Sequence, residues 1–177
     1  MKIMVASDIH GSAVWCARML DRYRAEGAQR LVLLGDILYH GPRNPLPADY
    51  DPPAVAAMLN PLAGRICCVR GNCDSEVDQM VLSFPLTADY LYLPTGQSLC
   101  FATHGHIYHP DRVPSLSSGD FFLSGHTHVP GRMEKNGITF LNPGSVGIPK
   151  GGSEASYMTL TDAGFRWYTL DGEEYIP

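Results

Sequence analysis

Asp8-Ile9-His10 follows directly on an apolar run, MVAS, and the arrangement recurs along the chain. LVLLG runs into Asp36, CCVRG into Asn72, LCFAT into His104-Gly105-His106, and FFLSG into His126-Thr127-His128. Carboxylate, imidazole and carboxamide can each offer a lone pair to a cation. A single His or Asp after a strand is ordinarily a turn or capping residue. Here four of the seven histidines (His10, His104, His126 and His128) fall at such ends, with two aspartates and an asparagine. Ligand sites of open α/β sheets lie beyond the carboxyl ends of the strands, so five strand ends would bring metal-ligating residues to one edge.

The donor set limits the metal. No Cys₄ or Cys₂His₂ set is present to close a structural zinc site. Carboxylate, imidazole and amide together suit Mn²⁺, Fe²⁺ or Zn²⁺. The candidate ligands Asp8, His10, Asp36, Asn72, His104, His126 and His128 are too many for one catalytic ion that keeps an open position. They suit two ions roughly 3.5–4 Å apart that share a carboxylate, bind a phosphate between them and generate hydroxide near neutral pH. Gly35, Gly71, Gly105 and Gly125 stand beside the ligands, where the backbone is expected to turn sharply.

VRGNCDSE, residues 69–76, adds a cysteine to one of these loops. Cys73 could be a nucleophile, a metal ligand, half of a disulfide or a substitute for another residue. The five cysteines are odd in number and match no zinc ribbon. Cys16, Cys67, Cys68 and Cys100 lie in helical or strand-like apolar runs and read as buried, inert thiols. The phosphate-cradling pattern C-x₅-R is absent, since residue 79 is Gln79.

The elements that must hold these residues are legible in outline. KIMVAS, RLVLL and RICCV read as strands, the second with the all-apolar character of a sheet covered on both faces. Between them, Ser12 opens a helix to about Glu26 with Val14, Ala17, Leu20 and Tyr23 as its apolar stripe, ended by Gly27. A proline-rich loop over 40–53 leads to a second helix opened by Asp51 and Pro52. Strand, helix, strand, helix, strand implies a parallel sheet. The second half reads as hairpins: DYLYLP with SLCFAT, GRMEK with ITFLN around Asn136-Gly137, and SYMTLT with FRWYTLD, plus the short strand DFFLS. The expectation is an α/β sandwich of two mixed sheets with helices outside.

The bulk numbers set the boundaries. The chain has 177 residues, read as one domain over 1–177, and a formal charge of −5, which argues against a broad nucleic-acid or anionic-membrane surface. No apolar run approaches the roughly 20 residues of a membrane span, and the apolar start is too short for a signal peptide. The expected setting is the cytoplasm, where thiols stay reduced.

Together these residues resemble the calcineurin-like metallophosphoesterases. That family's pattern, D-x-H, G-D, G-N-H-D/E, H-G-H and G-H-x-H, is similar to Asp8-Ile9-His10, Gly35-Asp36, Gly71-Asn72-Cys73-Asp74, His104-Gly105-His106 and Gly125-His126-Thr127-His128, in that order. The small size, GNCD and NPGS (Asn142 to Ser145) resemble its compact prokaryotic phosphodiesterase branch. The resemblance implies a four-layer αββα sandwich, two mixed β-sheets flanked by helices, with the metal site at the strand C-terminal ends. It implies one ion on Asp8, His10, Asp36 and His128 and another on Asp36, Asn72, His104 and His126, with Mn²⁺ favoured over Fe²⁺, Zn²⁺ or Ni²⁺. The implied activity is phosphodiester hydrolysis by in-line attack of a metal-bridging hydroxide. Asn72, Asp74 and His104 would be catalytic, and Arg43, Cys73 and His106 would meet the substrate. Cys73 stands where many relatives carry a His that helps protonate the leaving oxygen. His40 and Lys150, in the loops 40–53 and 148–152, are read as either phosphate contacts or plain loop residues. The alternatives are a phosphomonoesterase acting on a small phosphorylated metabolite and a non-catalytic scaffold of the same fold. The expected partner is a small phosphodiester, with no membrane, and a homo-oligomer is left open.

Overall fold

In a computed structural model describing residues 1–177, β1 (Ile3–Ala6) is buried along its length and pairs in parallel with β2 (Arg30–Leu33). β2 pairs in parallel with β3 (Ile66–Cys68). Each crossover carries a helix, α1 (Ala13–Ala25) and α2 (Pro52–Leu59), the latter followed by a 3₁₀ turn over Asn60–Arg65. α3 (Glu76–Val81) is a short helix opened by a capping box between Ser75 and Asp78. On the other side of β1 the last hairpin, β9 (Ser156–Thr161) with β10 (Gly164–Thr169), adds antiparallel, and β11 (Glu174–Tyr175) closes that edge. The first sheet therefore has the order β11-β10-β9-β1-β2-β3.

The second sheet is also mixed. β4 (Tyr90–Thr95) and β5 (Ser98–Thr103) form a hairpin, β6 (Phe121–Ser124) runs parallel to β5, and β8 (Ile138–Asn142) runs parallel to β6 with β7 (Gly131–Lys135) on the edge. Asn136 and Gly137 both take positive φ at the β7–β8 turn, as that dipeptide requires.

Strand alternation sorts the core into layers. Ile3, Val5, Val32, Met158 and Trp167 face Leu93, Cys100, Ala102, Leu123 and Leu141 between the sheets. Met4, Ala6, Leu31 and Leu33 face the other way, onto α1 and α2. The outer face of the second sheet buries Phe101, Phe122 and Phe140 under Tyr108, Val113 and Leu116 of the 104–120 segment, which contains no helix. The two-sheet sandwich is as expected, and its fourth layer is irregular chain.

Three local expectations change. α1 buries Cys16, Met19, Leu20 and Tyr23, while Val14 is 56% exposed. Steps of three drift around a helix of about 3.6 residues per turn, whereas the i, i+3, i+4, i+7 set holds one face. Ser12 makes no side-chain cap; Asp49, from the proline-rich loop, accepts from Val14 N at 2.8 Å and from Ser12 Oγ at 2.5 Å. Cys67 is exposed, not buried. It lies in register with the core residue Val32, but β3 is the last strand of its sheet and nothing covers its outer flank.

Candidate metal centre

The seven candidate ligands arrive from both sheets: Asp8 and His10 after β1, Asp36 after β2, Asn72 after β3, His104 after β5, and His126 and His128 after β6. Backbone hydrogen bonds continue past the strand ends and lock these loops together. Asp8 N donates to Gly35 O at 3.1 Å, His10 N to Asp36 O at 2.9 Å and Gly125 N to His104 O at 2.9 Å. Five of the six non-glycine residues at positive φ are Asp8, His10, Asp36, His126 and His128. Such conformations cost on the order of 1 kcal/mol each and persist where surrounding structure imposes them, typically at functional sites.

Glycine serves proximity as much as turning. Gly71 and Gly125 are not left-handed, yet a Cβ on Gly71 would stand 2.1 Å from Asp36 Oδ1 and one on Gly125 1.9 Å from Ser7 Oγ. Gly35 and Gly105 do have positive φ.

Imidazole tautomers follow from the outer partners. Nδ1 of His10 lies 2.8 Å from Tyr39 O, that of His104 2.7 Å from Leu34 O, and that of His128 2.5 Å from Ile148 O. A carbonyl only accepts, so each Nδ1 carries the proton and each neutral ring turns a bare Nε2 inward. There the inward atoms face one another. His10 Nε2 is 3.3 Å from His128 Nε2, and His104 Nε2 is 3.1 Å from both Asn72 Oδ1 and His126 Nδ1. Asp8 Oδ1 is 3.3 Å from His128 Nε2 and 3.7 Å from His10 Nε2, and is buried without a hydrogen-bond partner. Asp36 Oδ2 is 3.6 Å from His10 Nε2 and 3.4 Å from His104 Nε2, while Oδ1 accepts from Cys73 N at 2.8 Å. Lone pairs crowded this way repel unless a cation stands among them, so the donor set fits metal binding. Ligand atoms gather within 4.8 Å of one another in the groups Asp8-His10-His128, His10-Asp36-Cys73 and Asp36-His104-His126.

Protons compete for the same positions. Burial works against charge on His104, but its hydrogen bond to Asp36 and the Asp8 and Asp36 carboxylates outweigh it and push the imidazole up to about 9. Burial would raise Asp36, yet the His104 hydrogen bond and charge hold it well below the usual carboxylate range. His126 and His128 are lowered, first by burial.

Around these atoms runs a brace of polar contacts. Ser7 Oγ donates to Asp8 Oδ2 at 2.6 Å, and His126 N donates to the same oxygen at 3.0 Å. Asn142 Nδ2 donates to Gly125 O at 2.9 Å and Thr127 Oγ1 at 3.0 Å, and Ser145 Oγ donates to Asp8 O at 2.9 Å. The NPGS stretch therefore ties the end of β1 to the end of β6. Its sequence was visible, but no periodicity or spacing discloses what its side chains reach.

Asp74 is tied into the backbone of the ligand loops. Its Oδ2 accepts from Asp36 N and Gly71 N, each at 2.7 Å, and its Oδ1 from Ile37 N at 2.8 Å. Burial pushes its carboxyl up to about 6 against those three donors. It holds the Asp36 loop in place and also stands among the residues that line the cleft. His104 is wholly buried and is not among the residues that line the cleft. His106 lies behind the ligands, its ring 5.3 Å from that of His104, with Nδ1 unpartnered and its imidazole pushed down to about 4, first by burial and then by the neighbouring histidines. It does not line the cleft.

That cleft measures about 770 Å³ and is lined by Asp36, Asn72, Cys73, His126 and His128 together with Arg43 and Lys150. Lys150 Nζ donates to Asn44 Oδ1 at 3.0 Å, joining the 40–53 and 148–152 loops. His40 packs edge-on between Tyr39 and Tyr50, away from the cleft. Cys73 is half-buried, with Asn72 Nδ2 donating to its Sγ at 3.3 Å; burial, then the Asp36 charge, push the thiol up to about 12.

A family model for the calcineurin-like phosphoesterase superfamily domain matches residues 1–163. The chain is 51% identical over 176 residues to the phosphodiesterase YfcE of Escherichia coli, covering 99% of this chain and 96% of that one. The solved structure of YfcE, a phosphoesterase, superposes with a TM-score of 0.95 over 98% of this chain and 96% of that chain, at 47% identity. A probable metallophosphoesterase of Bacillus subtilis, YsnB, is 28% identical over 186 residues, covering 98% of this chain and 94% of its own.

Proposed function

The chain belongs to the calcineurin-like phosphoesterase superfamily, and within that family of metal-dependent phosphoester hydrolases we propose that it is a binuclear phosphodiesterase. The observation that carries the reading is the convergence of bare ligand atoms on Asp36. Its Oδ2 faces His10 Nε2 on one side and His104 Nε2 on the other. Asp8, His10, Asp36 and His128 would hold one divalent cation, and Asp36, Asn72, His104 and His126 the second. When bound, two such cations stabilise charge on phosphoryl oxygens and make water a nucleophile near neutral pH, in line with the leaving oxygen.

The chain's own groups do the rest. Tyr39, Leu34 and Ile148 carbonyls fix three imidazole tautomers. Asp74 holds the Asp36 backbone amide, and Cys73 N donates to the Asp36 carboxylate. Arg43 and Lys150 draw an anionic phosphate to the cleft. Cys73 offers only a weakly donating thiol, so the leaving oxygen departs without a strong acid at this position.

Charge supports a diester. Two divalent cations, two carboxylates and one nucleophilic anion leave a single formal positive charge, which a diester monoanion balances and a monoester dianion exceeds. Arg43 and Lys150 in the cleft favour the second reading, a phosphomonoesterase. Mn²⁺ is the proposed metal. The proposed setting is the cytoplasm, in keeping with five free cysteines. No helix is long and apolar enough to cross a membrane.

The experiment is metal removal followed by reconstitution with Mn²⁺, Mg²⁺, Zn²⁺ or Ni²⁺ and a screen of phosphoesters that includes cyclic nucleotides. Hydrolysis should vanish with the metal and return with Mn²⁺, with about two ions per chain by elemental analysis. Full activity in metal-free protein would overturn the reading. Bis-aryl phosphate should turn over faster than mono-aryl phosphate; the reverse order would favour the monoesterase.

A further inference from the structure

A second cavity, also about 770 Å³, opens beside the metal cleft. Its character is opposite. It is walled by α2, α3 and the proline-rich loop, with Tyr50, Pro52, Ala56, Ala57, Val77 and Val81 among its residues. The two hollows adjoin, because Tyr39, Cys73 and Ser75 line both. Cys73 stands at the junction, its Sγ close to the backbone of Gly41, where a Cβ would come within 2.9 Å. The cleft also carries Arg43, Asn44 and Lys150, so a phosphate held at the ligands has polar groups as well as the apolar groove in its surroundings.

Resting on the diesterase reading, we propose that the substrate is an asymmetric phosphodiester whose one apolar or aromatic ester arm lies past Cys73 in the α2–α3 groove, while the other arm is polar and lies toward Arg43 and Lys150. Three observations converge on it. The groove begins at a cleft-lining residue instead of standing apart on the surface. Its wall offers aromatic and proline faces that match a flat ring. Val77 and Val81 are left 68% and 53% exposed on α3, an arrangement that costs solubility unless something apolar covers it.

The test measures binding and needs no turnover. Dissociation constants of dimethyl, methyl phenyl and diphenyl phosphate are obtained by NMR titration of the Zn²⁺-loaded protein, whose ion is diamagnetic. The first phenyl arm should tighten binding by about tenfold, the gain expected from partly burying one ring, and the second by less than about threefold. Amide shifts around Ala57, Val77 and Val81 should move with the first phenyl arm only. Ala57→Trp, which fills the groove, and Val77→Asn, which wets it, should erase the first step and leave dimethyl phosphate unchanged. Two equal steps, no step, or shifts confined to the Lys150 side would overturn the proposal. So would an unchanged series accompanied by loss of a dimer in Val77→Asn, which would assign the groove to a second copy of the chain. Failure of bis-aryl phosphate hydrolysis with every metal would instead remove the diesterase reading, with the binding series still deciding what the groove takes.

Discussion

Asp36 faces two sets of ligand atoms at once, and Asp74 holds the backbone that presents it. Substitution along this chain of contacts should therefore grade. Asp36→Asn should cost the most activity, since it weakens both ion positions together. Asp74→Asn removes an acceptor for the Asp36 and Gly71 amides and should lower metal affinity by about 10–100-fold, the range for groups that orient ligands. His106→Ala should cost less than either, its ring lying behind His104 and outside the cleft. Metal content and kcat/KM for the three variants check the order, and an Asp36→Asn protein that retains both ions and full rate would remove the shared carboxylate. Cys73 invites the opposite expectation. Its thiol, pushed up to about 12 by burial and the Asp36 charge, is a poor donor at neutral pH. Cys73→Ser should stay within about tenfold of the parent on an aryl diester. A loss beyond about 100-fold at intact metal content would give the thiol a part in proton transfer, since a positioned acid is worth about 10²–10⁴-fold.

Loops 40–53 and 104–120 do the work that helices do elsewhere in the sandwich. The first is moored to α1 by Asp49, by Ala13 N donating to Asp49 O at 3.1 Å and by Asp51 N donating to Gly11 O at 2.8 Å. This mooring fixes Tyr39, whose carbonyl sets the His10 tautomer, on the same stretch that carries Arg43. Asp49→Ala removes the acceptor at the start of α1 and should lower stability by about 1 kcal/mol, a fall of roughly 2–4 °C in melting temperature for a domain of this size. It should also raise KM more than it lowers kcat, because the cleft wall loosens while the ligands stay. Calorimetry and steady-state kinetics on one preparation decide this, and an unchanged melting temperature would mean that Ser12 replaces Asp49 as the cap.

Metal binding and proton binding are linked across the sandwich, because the ligands come from both sheets. In metal-free protein His104 has its imidazole raised to about 9 from the ordinary 6.5. A raised histidine stabilises the fold below the unfolded value and loses that contribution as pH rises through about 9. A cation must displace this proton, so metal affinity should climb with pH until about 9, and loading at pH 7 should release protons. Titration calorimetry in two buffers of different ionisation enthalpy counts them; a heat independent of buffer would contradict the assignment. Metal should likewise raise the melting temperature in proportion to the logarithm of its free concentration, since the unfolded chain does not assemble ligands from β1, β2, β3, β5 and β6.

The sequence by itself determined the strands, because alternating or continuous apolar runs carry their own period, and it determined the ligand types, because each followed a strand end. It also determined the β7–β8 turn, where only residues tolerant of positive φ serve. What the tertiary structure decided was every relation between segments remote in the chain. Asp49 caps α1 from 35 residues away, as a loop folded over it. Asp74 is marked in sequence only by the motif beside Cys73, yet it is buried on three backbone amides, two of them from the end of β2. Cys67 shares a face with Val32 but loses its cover because β3 is an edge. Local patterns are written in one-dimensional periods of two or 3.6 residues, whereas caps from afar, edge exposure and the joining of an apolar groove to a polar cleft depend on which surfaces the collapsed chain brings together.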